Sequence, residues 1–411
     1  MRLLDNLVNS FIVKGKLRII DESGATKEYG SGQDGPSVTL RLHDSSLKRK
    51  LFFNPELAVA EAYMDNTLTL EDGAKIYDLL YLFSINRKPL GGSSTHRILR
   101  QKLRALRLRH QQNDVNNAKK NARSHYDLST ELYRLFLDPG LNYSCAYFKT
   151  PDDDLEVAQF AKLDHAISKL QLTPGTRVLE IGSGWGAFAI RMAQAGAQVV
   201  SLNVSNEQLE VARENAREAG VADQIEFLVK DYREYTGQFD RVVSVGMMEH
   251  VGVKHYKAFF SKVKELLVPD GYAYIHSIGR MTPPGTTGPF IRKYIFPGAY
   301  SPALSEVFAS TEQVGLWVSD MEVLRLHYHY TIKHWRQNFL KNREKALELY
   351  DERFCRMWEF YLCAVELDFQ HGASMVFQLL LSPNRDAVPI TRDYMYEAEL
   401  SGFDELIQKH G

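Results

Sequence analysis

A glycine-rich segment, Glu180-Ile-Gly-Ser-Gly-Trp-Gly186, places an acidic side chain beside a backbone that can approach a ligand closely. Gly182 and Gly184 lack a Cβ atom, and the free N–H groups of a following helix favour negative or polar ligand groups. The segment lacks the GxGxxG pattern of dinucleotide enzymes and the lysine of a P-loop, so it does not indicate pyrophosphate recognition. Glu180 instead suits a ligand with an amino or ammonium group. A purely structural tight turn is the alternative.

The elements around this segment alternate between strand and helix patterns from Thr176 onward. The predicted strands are TRVLEIG, QVVSLNV, IEFLVK, DRVVSVG and YAYIHSIG. The predicted helices are WGAFAIRMAQAG, closed by Gly196, SNEQLEVARENAREAG, capped by Ser205 and stopped by Gly220, and HYKAFFSKVKELL. This alternation predicts an α/β fold in which a parallel sheet has helices on both faces and the ligand lies at the carboxyl ends of the strands.

The composition excludes several classes of protein. The 411 residues are enough for about two or three domains. Lys and Arg total 50 against 51 Asp and Glu, and this balance argues against a nucleic-acid-binding protein held by general basicity. No apolar run approaches the ~20 residues of a membrane-spanning helix, and we find no export signal at the start. Cys145, Cys355 and Cys363 encode neither a disulfide framework nor a zinc site, which fits a cytoplasmic protein.

Three regions of the chain differ in character. Residues 1–95 predict a small α+β domain, with short β-branched stretches followed by a more helical part from Pro55 to Phe83. Residues 96–124 predict a basic linker helix. They contain nine Lys and Arg residues and a single acid, Asp114, and their leucines have the spacing of a narrow apolar stripe. This helix is either interfacial or a solvated linker. Residues 125–411 are interpreted as the catalytic domain.

Two segments of that domain interrupt the α/β pattern. Residues 281–300 are rich in Pro, Gly and Thr, which suggests an inserted loop or lid. Residues 331–372 predict a long helical tract with many aromatic side chains, which we interpret as core in preference to a ligand wall.

The sequence from VLEIGSGWG through DRVVSVGMMEHVG resembles the class I S-adenosylmethionine-dependent methyltransferases. Four more segments make the resemblance specific, namely HYDLSTELYRLFLDPGLNYSCAYF, GMMEHVG, YIHSIGR and LHYHYTIKHW. Together they resemble the cyclopropane-fatty-acyl-phospholipid synthases and the related mycolic acid cyclopropane synthases, over about residues 120 to 380. The resemblance implies a class I methyltransferase Rossmann-like sheet with helical lid insertions. Residues 1–95 resemble, more faintly, the small N-terminal domain of the bacterial phospholipid-acting members.

The resemblance implies transfer of a methylene from S-adenosylmethionine across a cis double bond of a phospholipid acyl chain, with bound bicarbonate as the base. An alkene is a weak nucleophile, so such a site must align the reactants in a dry, apolar tunnel. The positions implied for bicarbonate are Cys145, Glu249, His276, Ile278 and Tyr328. Because Tyr330, His327 and His329 surround Tyr328, a shift of register by two residues stays open.

For the cofactor, the resemblance implies contacts with the methionine end, the ribose and the adenine. The implied residues are Tyr143 and Ser144 at the methionine end, Gly182 and Gly184 under it, Asn203, Val204 and Gln208 around the ribose, and Asp231 with Tyr232 near adenine. Glu180 joins this set from the motif analysis. Relatives usually have Thr where this chain has Asn203, and both side chains can hydrogen-bond a hydroxyl.

Alternative functions remain at this level. A fatty-acyl methyltransferase would pass through the same cation and end with a methyl branch or a methylated alkene. The intact Cys145, Glu249, His276 and Tyr328 favour the ring, since only ring closure demands that deprotonation. A small-molecule N- or O-methyltransferase and a non-catalytic lipid-binding protein are further alternatives. The expected partners are unsaturated acyl chains and, through the basic tract, an anionic membrane surface at the cytoplasmic face, with self-pairing undecided.

Overall fold

The computed structural model describes residues 2–87 and 128–400, without the side chains of residues 2–4 and 7. These residues form two compact units. One contains the described N-terminal residues together with Thr287–Pro297 and Ile332–Ala373, and the other contains the remaining residues from 128 to 400. Thr287–Pro297 and Ile332–Ala373 fall within the range predicted for the catalytic domain. The basic linker helix at 96–124 lies outside the described residues.

The N-terminal residues form a small four-stranded sheet and four helices. The elements are α1 (Arg2–Phe11), β1 (Lys16–Ile20), β2 (Thr26–Tyr29), β3 (Ser37–Leu42), α2 (Leu47–Phe53), α3 (Pro55–Met64), β4 (Leu68–Glu71) and α4 (Ile76–Ile85). The strand order is β2-β1-β3-β4, and β1 and β3 are parallel. The small α+β architecture therefore agrees with the sequence pattern.

The part predicted as more helical contains α3 and α4, and the short strand β4 lies between them. Asn66 has a φ of 56°, a left-handed turn that ends α3. The next residues pair antiparallel with β3, from Leu68 opposite Leu42 to Glu71 opposite Thr39. Tertiary pairing thus overrides the helical pattern.

The second unit contains a seven-stranded sheet of order β10-β11-β9-β8-β5-β6-β7. Its strands are β5 (Arg177–Ile181), β6 (Gln198–Asn203), β7 (Ile225–Val229), β8 (Phe239–Val245), β9 (Leu267–Arg280), β10 (Trp317–Leu324) and β11 (Ser374–Ser382). Strands β5 to β9 are parallel, which confirms the predicted α/β sheet, but β11 is antiparallel to both of its neighbours. Since β11 is buried along nearly its whole length, its hydrophobic pattern carries no signal of direction.

Helices cover both faces of this sheet, as predicted. They are α5 (Thr130–Arg134), α6 (Leu155–Leu170), α7 (Ala187–Gln194), α8 (Asn206–Glu218), α9 (Tyr256–Leu266), α10 (Leu304–Val314) and, at the end of the described chain, α14 (Asp393–Leu400). Helices α6, α7, α8 and α14 share one apolar cluster with Val178, whereas α9 and α10 share another with Leu179. Consecutive strand residues thus serve opposite faces, as the pleat requires.

The remaining helices are α11 (His327–Lys341), α12 (Arg343–Leu349) and α13 (Glu352–His371). Helix α13 belongs to the same unit as α3, and Tyr63 on α3 donates a hydrogen bond from its hydroxyl to Glu359 at 3.1 Å. Most aromatic side chains of the tract are buried, which confirms the core interpretation; they are Trp335, Phe339, Trp358, Phe360, Tyr361 and Phe369. Across residues 2–87 and 128–400, no helix is both long and apolar enough to cross a bilayer.

Candidate active site

A cavity of about 250 Å³ lies at the carboxyl ends of β5, β6 and β8, where the sheet topology places ligands. Nine of the residues predicted for the cofactor line it: Tyr143, Ser144, Gly182, Gly184, Asn203, Val204, Gln208, Asp231 and Tyr232. They come from distant parts of the chain. The strand ends and the loop after Leu141 bring them together.

The glycine loop takes a backbone conformation that explains its composition. Gly182 has a φ of +94° and Gly184 a φ of +51°, where L side chains are strained. The N–H groups of Gly182 and Ser183 donate to the carbonyl of Leu202, at 2.9 and 3.2 Å. The loop is therefore tied to the end of β6 and held open toward the cavity.

Asn203 and Gln208 differ in whether they have a hydrogen-bonding group left for a ligand. The Asn203 amide donates to Ser183 Oγ, Gly184 O and Gln208 Oε1, and its Oδ1 accepts from the N–H groups of Val204 and Ser205. Gln208 Nε2 is buried and has no hydrogen-bond partner within the described chain. Asn203 thus braces the wall, while Gln208 presents an unsatisfied donor to the cavity.

Glu180 is not among the residues that line the cavity. Its Oε2 accepts a hydrogen bond from Ser201 Oγ at 2.5 Å, and burial raises its pKa to about 7. The side chain is buried and bonded to Ser201 on β6, so the geometry does not support the predicted direct contact with a ligand ammonium group. The reason is local: Glu180 is within β5, and the loop it precedes forms the wall.

Lys162 on α6 is a lining residue that the sequence analysis missed. Its Nζ donates to Asn142 Oδ1 at 3.0 Å and to Ser144 Oγ at 3.2 Å, and burial lowers its pKa to about 8. A lysine on the otherwise buried face of α6 was the available signal. Lys162 therefore holds the loop that carries Tyr143 and Ser144.

Asp231 is clamped by its neighbour in the chain. Arg233 donates from Nε to Oδ1 at 2.9 Å and from Nη2 to Oδ2 at 2.6 Å. Both residues line the cavity beside Tyr232. The two hydrogen bonds from Arg233 fix the orientation of the carboxylate at this end of the cavity.

Glu249 and Ile278, both predicted for bicarbonate, contact each other. The Ile278 N–H donates to Glu249 Oε1 at 2.6 Å, so this N–H is already used within the protein. Glu249 Oε2 is buried without a hydrogen-bond partner in the parts of the chain described. Burial raises the pKa of Glu249 to about 7, so the residue can change protonation near neutrality.

The other three residues predicted for bicarbonate lie on β9, on the loop before α6 and on α11. His276 is on β9, two residues before Ile278, so both point to the same face. Cys145 is buried, and its raised pKa, caused by burial, makes it a neutral thiol. The next residue, Ala146, donates its N–H to Thr331 Oγ1 at 3.0 Å, one helical turn from Tyr328. This bond links the Cys145 loop to α11.

A family model described as mycolic acid cyclopropane synthetase matches residues 113–379, and a domain of unknown function matches residues 6–87. The chain is 39% identical over 285 residues to a probable fatty acid methyltransferase of Pseudomonas putida, covering 66% of this chain and 72% of the relative. It is also 39% identical over 261 residues to the cyclopropane-fatty-acyl-phospholipid synthase of Escherichia coli K12, covering 63% and 67%.

The fold resembles that of mycolic acid cyclopropane synthase CmaA1, solved in complex with SAH and CTAB. The TM-score is 0.61 at 33% sequence identity, and the match covers 64% of this chain and 97% of that structure.

Proposed function

This chain belongs to the mycolic acid cyclopropane synthetase family, and from that premise we propose that it forms cyclopropane rings on unsaturated phospholipid acyl chains. The family makes it an S-adenosylmethionine-dependent methyltransferase that modifies lipids. The cofactor fits this chain's own cavity, where Gln208 Nε2 is an unsatisfied donor and the glycine loop leaves room for a ligand.

In the proposed reaction, S-adenosylmethionine supplies the electrophilic methyl group, and a bicarbonate ion supplies the base that removes a proton so that the ring closes. The chain's residues position and protect these groups. Lys162 holds the loop of Tyr143 and Ser144 at the cavity, and the reaction requires that the bound acyl chain keep water from the reacting carbon.

The observation that carries the proposal is the state of Glu249. One carboxylate oxygen is held by the Ile278 N–H, and the other is buried without a partner among the residues that the structure describes. Leaving a buried acceptor unsatisfied costs about 1–3 kcal/mol, so such an atom fits a ligand that donates an O–H. Bicarbonate carries one O–H, and accepting it would orient the ion and increase its basicity.

The proposed contact with an anionic membrane surface has two supports. The first is the basic tract at 97–123, which lies outside the described residues. The second is α2, where Phe53 is 77% exposed and Phe52 38%, next to the exposed Arg49 and Lys50. Exposed aromatic rings beside cations are typical of segments that sit at the boundary between headgroups and acyl chains.

The test of the ring is mass spectrometry of lipids from cells that express the protein, with gas chromatography to separate a ring from an isobaric methylated alkene. A cyclopropane product that declines when bicarbonate is removed supports the proposal. A one-carbon gain without a ring contradicts it.

A second candidate function is fatty-acyl methyl transfer that ends in a methyl branch or a methylated alkene. The similarity to the probable fatty acid methyltransferase of Pseudomonas putida favours it, since the identity equals that to the Escherichia coli synthase. The Glu249 arrangement favours ring formation, because the alternative products do not require the same deprotonation.

A further inference from the structure

We propose that Gln378 is a positioning residue that fixes the tautomer of His276, and that Lys169 sets the orientation of Gln378. The inference rests on the proposed function in one respect, the use of His276 at the ligand site. The residues involved lie on four different elements of the second unit, α6, β9, β10 and β11, with α14 at the outer end.

The orientation of the Gln378 amide follows from its contact with Lys169. Lys169 Nζ lies 2.6 Å from Gln378 Oε1, and an ammonium group can only donate. The atom facing Lys169 must therefore be the oxygen, which leaves the NH₂ group of Gln378 on the other side. That group lies 3.3 Å from His276 Nδ1.

The tautomer of His276 follows from its contact with the Gln378 amide. An amide NH₂ group can only donate, so Nδ1 must accept and the ring proton must be on Nε2. The Tyr274 hydroxyl lies 3.4 Å from the same Nδ1, and burial keeps the Tyr274 pKa well above its ordinary value, so the phenol retains a proton to donate. Burial also lowers the pKa of His276 to about 3, which keeps the ring neutral. His276 thus offers one N–H donor, at Nε2.

Lys169 is buried, and a buried cation needs a counter-charge. Glu322 on β10 supplies it through a direct salt bridge to Nζ. Glu322 also bonds His165 Nε2 at 2.7 Å, and His165 Nδ1 lies 2.5 Å from Glu399 on α14. Burial would lower the pKa of His165, but its bonds with Glu322 and Glu399 outweigh burial and raise it.

In this network the carboxylates of Glu322 and Glu399 are balanced by Lys169 and a protonated His165. The Gln378 amide, oriented by Lys169, then fixes the tautomer of His276. Other charged groups act on it from the neighbouring elements. The charge of Asp320 raises the pKa of Lys169 and that of Arg392 lowers it. The charge of Lys162 lowers the pKa of His276 and so favours its neutral form. Tyr147 stacks on His165 with ring centroids 4.2 Å apart, which fixes the plane of that imidazole.

The test reads the His276 tautomer directly in the full-length protein by ¹⁵N NMR of labelled histidines, without lipid or bicarbonate. The signal is assigned by its loss in His276→Gln. We expect a neutral ring with the proton on Nε2. A neutral wild-type ring with the proton on Nδ1, or a charged ring at pH 7, would overturn the proposal without any variant.

Two variants test the cause. Gln378→Glu replaces the donor with an acceptor and should move the proton to Nδ1, while Lys169→Met should release the amide and give a mixture of tautomers. Gln171→Glu is the matched control, because the Gln171 amide bonds the Tyr272 hydroxyl at 3.1 Å and does not contact His276. It should leave the His276 signal unchanged. An unchanged His276 signal in Gln378→Glu would contradict the assignment.

Turnover provides a second readout. We expect Gln378→Glu to lower kcat by about 10- to 100-fold, the usual effect of losing a residue that orients a ligand-binding histidine, with KM for S-adenosylmethionine unchanged. The tautomer is measured without product, so failure of this inference is distinguishable from failure of the proposed ring formation, which is read from lipids.

Discussion

At the scale of single residues, the two carboxylate oxygens of Glu249 differ in their hydrogen bonding. Oε1 accepts the Ile278 N–H, so it holds the side chain against β9. Oε2 is the buried atom without a partner in the described chain. Oε1 therefore has a structural role and Oε2 is the atom to which we assign the proposed contact with bicarbonate, so a substitution can test the second alone.

We predict that Glu249→Gln lowers turnover by about two orders of magnitude, the usual contribution of a group that supports general base catalysis. The amide oxygen can still accept the Ile278 N–H, so the fold should persist, while the NH₂ group cannot accept an O–H. Cofactor affinity, measured by calorimetric titration, should stay nearly unchanged because Glu249 does not line the cofactor cavity. Retained turnover would refute the bicarbonate assignment.

Glu180 predicts a pH dependence of stability. Burial raises its pKa to about 7 from an ordinary 4.5, so the folded state binds the proton more tightly than the unfolded state. This contribution is complete below pH 4.5 and is lost as the pH rises through 7. From pH 5 to pH 8 the free energy of unfolding of Glu180→Gln, relative to wild type, should therefore rise by about 3 kcal/mol.

The measurement is urea denaturation at both pH values without cofactor. Glu210→Gln, at an exposed position on α8, is the matched control and should show no such change relative to wild type. An unchanged difference for Glu180→Gln between pH 5 and pH 8 would mean that the Glu180 carboxyl is ionised throughout this range.

The cavity residues were predictable because they belong to a motif or a family segment, as Gly182 and Tyr143 do. Lys162 and Gln378 were not, since each is a buried polar residue whose hydrogen-bond partners are more than 15 residues away in the chain. A polar residue inside an apolar strand such as SMVFQLLLS marks a buried hydrogen bond, but its partner depends on the fold.

At the scale of elements, α8 shows how a cap can serve a site. The Ser205 hydroxyl accepts the N–H of Gln208 at 3.3 Å, which satisfies a free donor at the start of the helix. The same residue, Gln208, presents the unsatisfied amide to the cavity. The cap therefore stabilises the helix and positions the ligand donor together.

We predict that Ser205→Ala costs about 1 kcal/mol of stability and also weakens cofactor binding. The matched control is Asp351→Ala, because Asp351 caps α13 by accepting the Phe354 N–H at 2.7 Å and does not line the cavity. It should cost a similar free energy of unfolding in urea with no change in cofactor affinity. Equal affinities for both variants would show that the Ser205 cap is structural alone.

Most elements of the sheet could be predicted, since strands β5 to β9 and helices α7 to α9 follow clear patterns and caps. The misses share one cause. Strands β4, β10 and β11 were not predicted; each depends on the strand it pairs with, and pairing is a tertiary property that a local pattern does not encode. The grouping of α13 with N-terminal residues has the same origin, as the bond from Tyr63 to Glu359 shows.

At the scale of the whole molecule, the charge is nearly balanced at −1, so net charge does not support the proposed attraction to an anionic membrane. The proposal depends on local groups, each Lys or Arg near the surface contributing about 1 kcal/mol. The candidates are the basic tract at 97–123, outside the described residues, and α2 with its exposed Phe53.

We predict that replacing Arg100, Arg104 and Arg107 with Gln, or changing Phe53→Ser, weakens binding to vesicles that contain anionic phospholipid, measured by sedimentation. The arginine variant should show a weaker salt dependence of binding, because it has fewer charges for salt to screen, and screening acts over about 10 Å at 0.1 M salt. The Phe53 variant should keep that dependence and lose affinity, because burying the ring is an apolar contribution.

Phe160→Ser is the matched control for Phe53→Ser. Phe160 is 53% exposed, but it lies on α6 near Glu156 and Asp164, where acidic side chains oppose an anionic surface. Its removal should leave vesicle binding unchanged. If Phe53→Ser and Phe160→Ser bind equally well and the arginine variant matches wild type, the enzyme must reach its acyl chains without docking through these groups, and the proposed membrane contact is wrong.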